Sequence, residues 1–106
     1  MESFEMISCQ IIAAVGSARG MFVEAVQQAK QGNFSEAENL IKQGEESMNE
    51  GHRAHMDVLT RFANQENIPF DLLLVHAEDQ MMSAETIKIV AEEFISLYKN
   101  SSKADN

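Results

Sequence analysis

Residues 4–31, FEMISCQIIAAVGSARGMFVEAVQQAKQ, decide how the chain folds. Apolar or small side chains recur at heptad spacing, with Phe4, Ile11, Ala18 and Ala25 in one column and Val15, Phe22 and Ala29 in the next. That pattern predicts a helix with one buried stripe. It stops at Gln31-Gly32-Asn33, where Gly32 can adopt the left-handed conformation that closes a helix. Gly16, Ser17 and Gly20 interrupt it internally, each glycine at about 1 kcal/mol relative to alanine, and are expected to permit a close approach or a bend.

Working outward, Ser35 followed by Glu38 reads as a capping box that opens a second helix. Its seam runs Ala37, Ile41, Gly44, Met48, Gly51, His55, Val58 and Phe62, and the small members Gly44 and Gly51 would let another helix pack closely. Ile68-Pro69 forces extended backbone and marks the second connection, after which Asp71 is a plausible N-cap. From Leu72 the apolar positions continue through Val75, Met82, Ile87, Ile89, Val90, Phe94 and Leu97, giving a third helix of about 27 residues and roughly 40 Å. Residues 100–106 are polar and expected to fray. Nothing alternates with a period of two, and no internal repeat is visible. The expectation is an all-α, three-helix, up-down-up antiparallel bundle in one domain spanning residues 1–106, with helices at about 4–31, 36–64 and 72–99.

The chain has 106 residues with seventeen acidic against eight basic side chains, a formal charge of −9 that repels nucleic acid and anionic membrane surfaces. A basic protein partner is favoured instead. A core of this size is modest, so long rods invite association, and seven methionines suit adaptable helix packing. No run of about 18 apolar residues stands out as a bilayer span, and the N-terminus lacks the basic start of a secretory signal, so the cytoplasm is the expected compartment. Cys9 is the only cysteine and is expected to be a buried or semi-buried structural thiol.

Chemistry is expected between residues 72 and 82, where an imidazole and a carboxylate interrupt an apolar run. His76 and Asp79 are three apart and His76 and Gln80 four apart, so their side chains project near one helix face. Asp79 falls in the column Leu72, Val75, Asp79, Met82, the spacing of a packing seam. A carboxylate there must be protonated, metal-bound or paired, with Arg19, Arg53 or Arg61 as possible partners. A histidine on such a face is more often a hydrogen-bonded core or boundary residue than a nucleophile, and the company of Glu78, Asp79 and Gln80 raises the second reading of His76. A neutral imidazole offers one nitrogen lone pair while its other N–H is held by an acceptor, and such a ring can accept a phosphoryl group directly. His52 and His55, at i and i+3, are a weaker pair that would bind a metal only if His76 converged on them.

Three stretches resemble the enzyme IIA family of the lactose/N,N′-diacetylchitobiose (cellobiose) class of the bacterial sugar phosphotransferase system. They are Gly16-Ser17-Ala18-Arg19, the span from Ala29 through Gln31-Gly32-Asn33-Phe34-Ser35-Glu36-Ala37 into Asn49-Glu50-Gly51-His52, and Val75-His76-Ala77-Glu78-Asp79-Gln80-Met81-Met82. The resemblance implies a phosphocarrier. His76 would take phosphate from the histidine-containing phosphocarrier protein and pass it to a cysteine of the enzyme IIB component. It also implies a homotrimer whose Asp79 carboxylates share one divalent ion, taken as Mg²⁺, on the threefold axis. Glu78 stands where the family usually has glutamine, Gln80 where it has histidine and His55 where it has glutamine. Glu78 and Gln80 are assigned supporting roles. The alternative is a non-catalytic trimeric helical adaptor or regulator built on the same fold.

Overall fold

The computed structural model describes residues 3–104, which form three helices and no strands: α1 (Phe4–Lys30), α2 (Phe34–Ala63) and α3 (Leu72–Ala104). They make a rod of about 59 × 20 × 16 Å in which α1 packs on both neighbours while α2 and α3 touch sparsely. The heptad stripe of α1 is the reason. Ile7, Ile11, Ala18, Phe22 and Ala25 are fully excluded from water, with Val15 and Ala29 almost so. By length and hydropathy alone α1 could pass for a membrane-spanning helix, contrary to the expectation from its sequence. The buried stripe accounts for that apolarity, because it forms the common core with Met48, Val58, Leu74, Ala77, Met81 and Ala84.

Two glycines set how closely the rods approach. A Cβ on Gly44 would stand 2.4 Å from a ring carbon of Phe22, and one on Gly51 would stand 2.8 Å from Val15. These are the close contacts that the α2 seam anticipates. Gly16 and Gly20 differ from expectation, since a Cβ at either would meet open space and neither marks a close approach. Cys9 also differs: it is exposed, because burial in α1 follows Ile7, Ser8 and Ile11 and turns position 9 outward.

Both connections begin with the same hydrogen-bonded closure. At the end of α1, Gly32 takes φ 86° while its N–H donates to Ala29 O and that of Asn33 to Gln28 O. This is the Schellman arrangement. At the end of α2, Gln65 takes φ 61°, donating to Phe62 O, and Glu66 N–H donates to Arg61 O. A glutamine thus fills a position that ordinarily favours glycine.

The helix limits depart from the sequence reading at two places. α2 starts at Phe34 rather than residue 36, because the Phe34 ring packs against Ala25, Ala29, Ala37 and Ile95 and draws the chain in early. Asn33 is the resulting N-cap, and its amide turns back to donate to Gln28 Oε1 instead of capping, so the Ser35–Glu38 capping box does not form. α3 runs past residue 99 to Ala104, with Tyr98 packed on the same cluster and Lys99 paired to Glu38. Asp71 does cap α3, accepting from Leu74 N–H at 2.8 Å. On α2 the seam ends differently, for Arg61 is buried and Phe62 is exposed. The guanidinium covers the Phe4 ring at 4.9 Å and its Nε lies 3.5 Å from Asp57 without a hydrogen bond, so the cation–π contact and the ion pair offset only part of the cost of burial.

Candidate functional site

Asp71 begins α3 at one end of the rod, which places His76 in the second helical turn, close to the α2–α3 connection. His76 and Asp79 are both exposed and make no hydrogen bond or ion pair among the described residues. None of Arg19, Arg53 or Arg61 pairs with Asp79. The expectation of a packing seam through Leu72, Val75, Asp79 and Met82 is corrected in this respect: the column does not face the protomer core. Leu74, Ala77, Met81 and Ala84 do, two positions further along, and the helix therefore has two apolar faces.

The second face is large. Leu72, Val75, Met82, Ile89, Val90, Phe94 and Leu97 all remain substantially exposed. A contiguous exposed apolar stripe of this length marks an interaction surface. Beside it an apolar groove of about 380 Å³, lined chiefly by Phe22, Val23, Val26, Ile87, Val90 and Phe94, lies between α1 and α3. That groove begins ten residues beyond His76, roughly 15 Å along the helix, so it is separate from the imidazole. Close to His76 a second apolar cleft of about 400 Å³ is lined by Phe62, Ile68, Pro69, Phe70, Leu74, Val75 and Glu78.

The two supporting residues have partners on different helices. Gln80 accepts a hydrogen bond from Arg19 Nη1 at 2.7 Å across the α1–α3 interface. Glu78 meets His55 of α2, whose Nδ1 lies 2.8 and 2.7 Å from its two carboxylate oxygens. The two departures from the family's usual glutamines, His55 and Glu78, thus face each other. Glu78 lies two residues from His76 and so points to another side of α3, where His55 engages its carboxylate.

The His55–Glu78 contact is one of several polar crossbars between α2 and α3. Farther along, His52 Nε2 lies 3.3 Å from Glu85, Lys88 Nζ lies 3.2 Å from Glu45, and Lys99 pairs with Glu38. Lys99 lowers the Glu38 carboxyl below its ordinary pKa by hydrogen bond and charge. At Lys88 burial acts to lower the ammonium pKa, but Glu45 and Glu92 together outweigh it and the net direction is up. Because each α2 histidine engages its own α3 carboxylate, His52, His55 and His76 do not converge, and no metal-holding group of three or more His, Cys, Asp or Glu exists among the described residues of one chain. Arg19, one of three arginines offered as partners for Asp79, pairs elsewhere. Its Gly-Ser-Ala-Arg context singled it out, but its partner lies 61 residues away and is Gln80 rather than Asp79.

Fold and site define an all-helical module that presents a bare imidazole on its surface, next to an apolar cleft, instead of enclosing a substrate pocket. The model of the PTS system lactose/cellobiose-specific IIA subunit family matches residues 6–99, and the chain belongs to that family. The galactose-specific EIIA component of the phosphotransferase system from Lactococcus lactis subsp. cremoris is 42% identical over 85 residues, covering 80% of this chain and 73% of that protein. Among solved structures, the cellobiose-specific enzyme IIA of Bacillus anthracis superposes with a TM-score of 0.94 at 38% identity, covering 97% of this chain and 94% of that one. The IIA(Chitobiose)–HPr complex of the N,N′-diacetylchitobiose branch of the Escherichia coli phosphotransferase system superposes with a TM-score of 0.76 at 27% identity, covering 96% of this chain and 99% of its counterpart. The protein is therefore an all-α component of a sugar phosphotransferase system.

Proposed function

We propose that His76 carries phosphate between proteins. The observation that carries this reading is an exposed, unpartnered imidazole one turn into a family-matched helix, flanked by an apolar cleft wide enough for a partner's side chains. The donor is the histidine-containing phosphocarrier protein, which the solved chitobiose IIA–HPr complexes support. A His76 ring nitrogen attacks phosphorus as the donor's P–N bond breaks and its electron pair returns to the donor ring. No net proton or electron moves. The acceptor is a cysteine thiolate of the sugar-specific enzyme IIB, whose sulfur attacks in turn and releases His76. Both steps need in-line positioning and exclusion of water more than acid–base chemistry, which suits a docking surface without a substrate pocket. This role belongs in the cytoplasm.

The same reading includes a homotrimer built on the second apolar face of α3. Leu72, Val75, Asp79, Met82, Thr86 and Ile89 follow the alternating three- and four-residue spacing of a coiled-coil seam, and one polar residue in such a seam fixes register and chain number. Three Asp79 carboxylates about 4 Å apart would repel by roughly 4 kcal/mol per pair at an effective dielectric of 20, so the axis calls for a cation. The unpaired oxygen donors fit a hard divalent ion, and Mg²⁺ is the proposed occupant. It would offset most of the seam's negative charge and hold the three helices in register.

Incubation with phosphoenolpyruvate and the general phosphotransferase proteins should label the wild type at His76 and leave His76→Ala unlabelled. Absence of label, with the partners shown active, overturns the reading. Partner binding that is unchanged by His76→Ala in an unlabelled wild type would favour an adaptor.

A further inference from the structure

We propose that Arg19 and Gln80 form a donor pair for the phosphoryl group: Arg19 turns the Gln80 amide so that its Nε2–H donates to a phosphoryl oxygen on His76. This rests on the phosphocarrier reading and extends it to a residue on α1. An arginine side chain has only donors, so the atom it meets at 2.7 Å must be the amide oxygen. That fixes which way the amide lies and leaves the NH₂ group directed away from Arg19. Gln80 is four residues beyond His76 on the same helix, so the two side chains are surface neighbours, with Cβ atoms about 6 Å apart. Both Arg19 and Gln80 are half-buried, which holds the pair in place and weakens competition from water.

The arrangement supplies what phosphate binding needs at this end of α3. Among the described residues no hydrogen-bond donor from another residue reaches His76, and Asp79, three residues on, is its other polar neighbour on that face of the helix. An amide N–H stabilises the three phosphoryl oxygens as charge spreads over them during transfer. Arg19 has a second effect, because its hydrogen bond to Oε1 withdraws electron density and strengthens the N–H as a donor. Unlike the histidine usual at this place in the family, an amide does not titrate, so the donor is present at every working pH. Gln80 makes the contact, and Arg19 acts through it as a positioning residue.

The test measures the rate of phosphoryl acceptance from the phosphorylated histidine-containing carrier, with folding checked by circular dichroism. Gln80→Glu keeps the shape and strengthens the tie to Arg19 while removing the donor, so it folds and should accept at least about tenfold more slowly. Gln80→Met should show a similar loss. Arg19→Gln should slow the wild type several-fold and have no further effect in the Gln80→Met background. In the wild type the Gln80 side-chain amide resonance should shift on phosphorylation, and this shift should shrink in Arg19→Gln. Gln80→His should restore the rate and add a titration near the ordinary histidine range to its pH profile. Gln80→Met accepting at the wild-type rate, independent losses for Arg19→Gln and Gln80→Met, or an amide resonance indifferent to phosphorylation would each overturn the pair while leaving the phosphocarrier reading intact. A wild type that never labels overturns both.

Discussion

The same substitution, glycine to alanine, should have opposite signs at two helical glycines of this bundle. At Gly20 a Cβ meets nothing within 4 Å, so alanine gains only its helix propensity, about 1 kcal/mol. At Gly44 the gain is the same, but the new Cβ stands 2.4, 2.8 and 3.0 Å from three ring carbons of Phe22. That ring is fully buried, and retreat would disturb the centre of the α1 stripe. Overpacking of a tight core costs up to about 3 kcal/mol, which leaves Gly44→Ala about 2 kcal/mol less stable than the wild type. The two variants should therefore differ by about 3 kcal/mol, or roughly 10–20 °C in midpoint for a domain of this size. Thermal and urea unfolding at one fixed chain concentration would measure this, since self-association makes midpoints concentration-dependent. Adding Phe22→Leu to Gly44→Ala should recover part of the loss. Equal or inverted stabilities of Gly20→Ala and Gly44→Ala would refute the close α1–α2 approach on which the fold is built.

Other expectations follow from the termini, the crossbars and the seam. Gln65 holds φ 61° without the freedom of glycine, so Gln65→Gly should raise stability by about 0.5–1 kcal/mol in the same unfolding assay. Lys99 holds Glu38 below its ordinary carboxyl pKa of 4.5, so the pair stabilises the fold above that value and its contribution is lost as pH falls through the lowered folded value. The difference in urea midpoint between wild type and Glu38→Gln should accordingly be present at neutral pH and vanish in acid. Asp79→Leu should maintain or tighten the trimer in metal-free buffer and abolish its response to Mg²⁺, as read by sedimentation. A wild type that sediments as a monomer would remove the shared-ion account.

Much of the fold is legible because the heptad columns of α1 coincide with its buried stripe. Phe4, Ile11, Val15, Ala18 and Phe22 name the core in sequence order, and Gly32, Gly44 and Gly51 announce a turn and two close contacts before any coordinate is known. α3 was harder, because it carries apolar residues on two faces. Periodicity detects both Leu72-Val75-Met82 and Leu74-Ala77-Met81, yet nothing local says which packs within the chain. The start of α2 departs from its local signal for a related reason: Ser35 and Glu38 have the chemistry of a capping box, but Phe34 packs on Ala29 and Ile95 and starts the helix before it. At the site, His76 and Asp79 were visible from their incongruity in an apolar run. Arg19–Gln80 and His55–Glu78 were not, since each joins residues distant in sequence and only the packing of three helices brings them together.

Phosphorus NMR of the chain labelled through the phosphoenolpyruvate-driven relay would show whether His76 is the phosphoryl carrier. One phosphohistidine signal per chain is expected, lost in His76→Ala, retained in His52→Ala and His55→Ala, and discharged when a cognate enzyme IIB is added. A signal that survives His76→Ala, or a wild type that stays unlabelled beside active partners, would contradict that role.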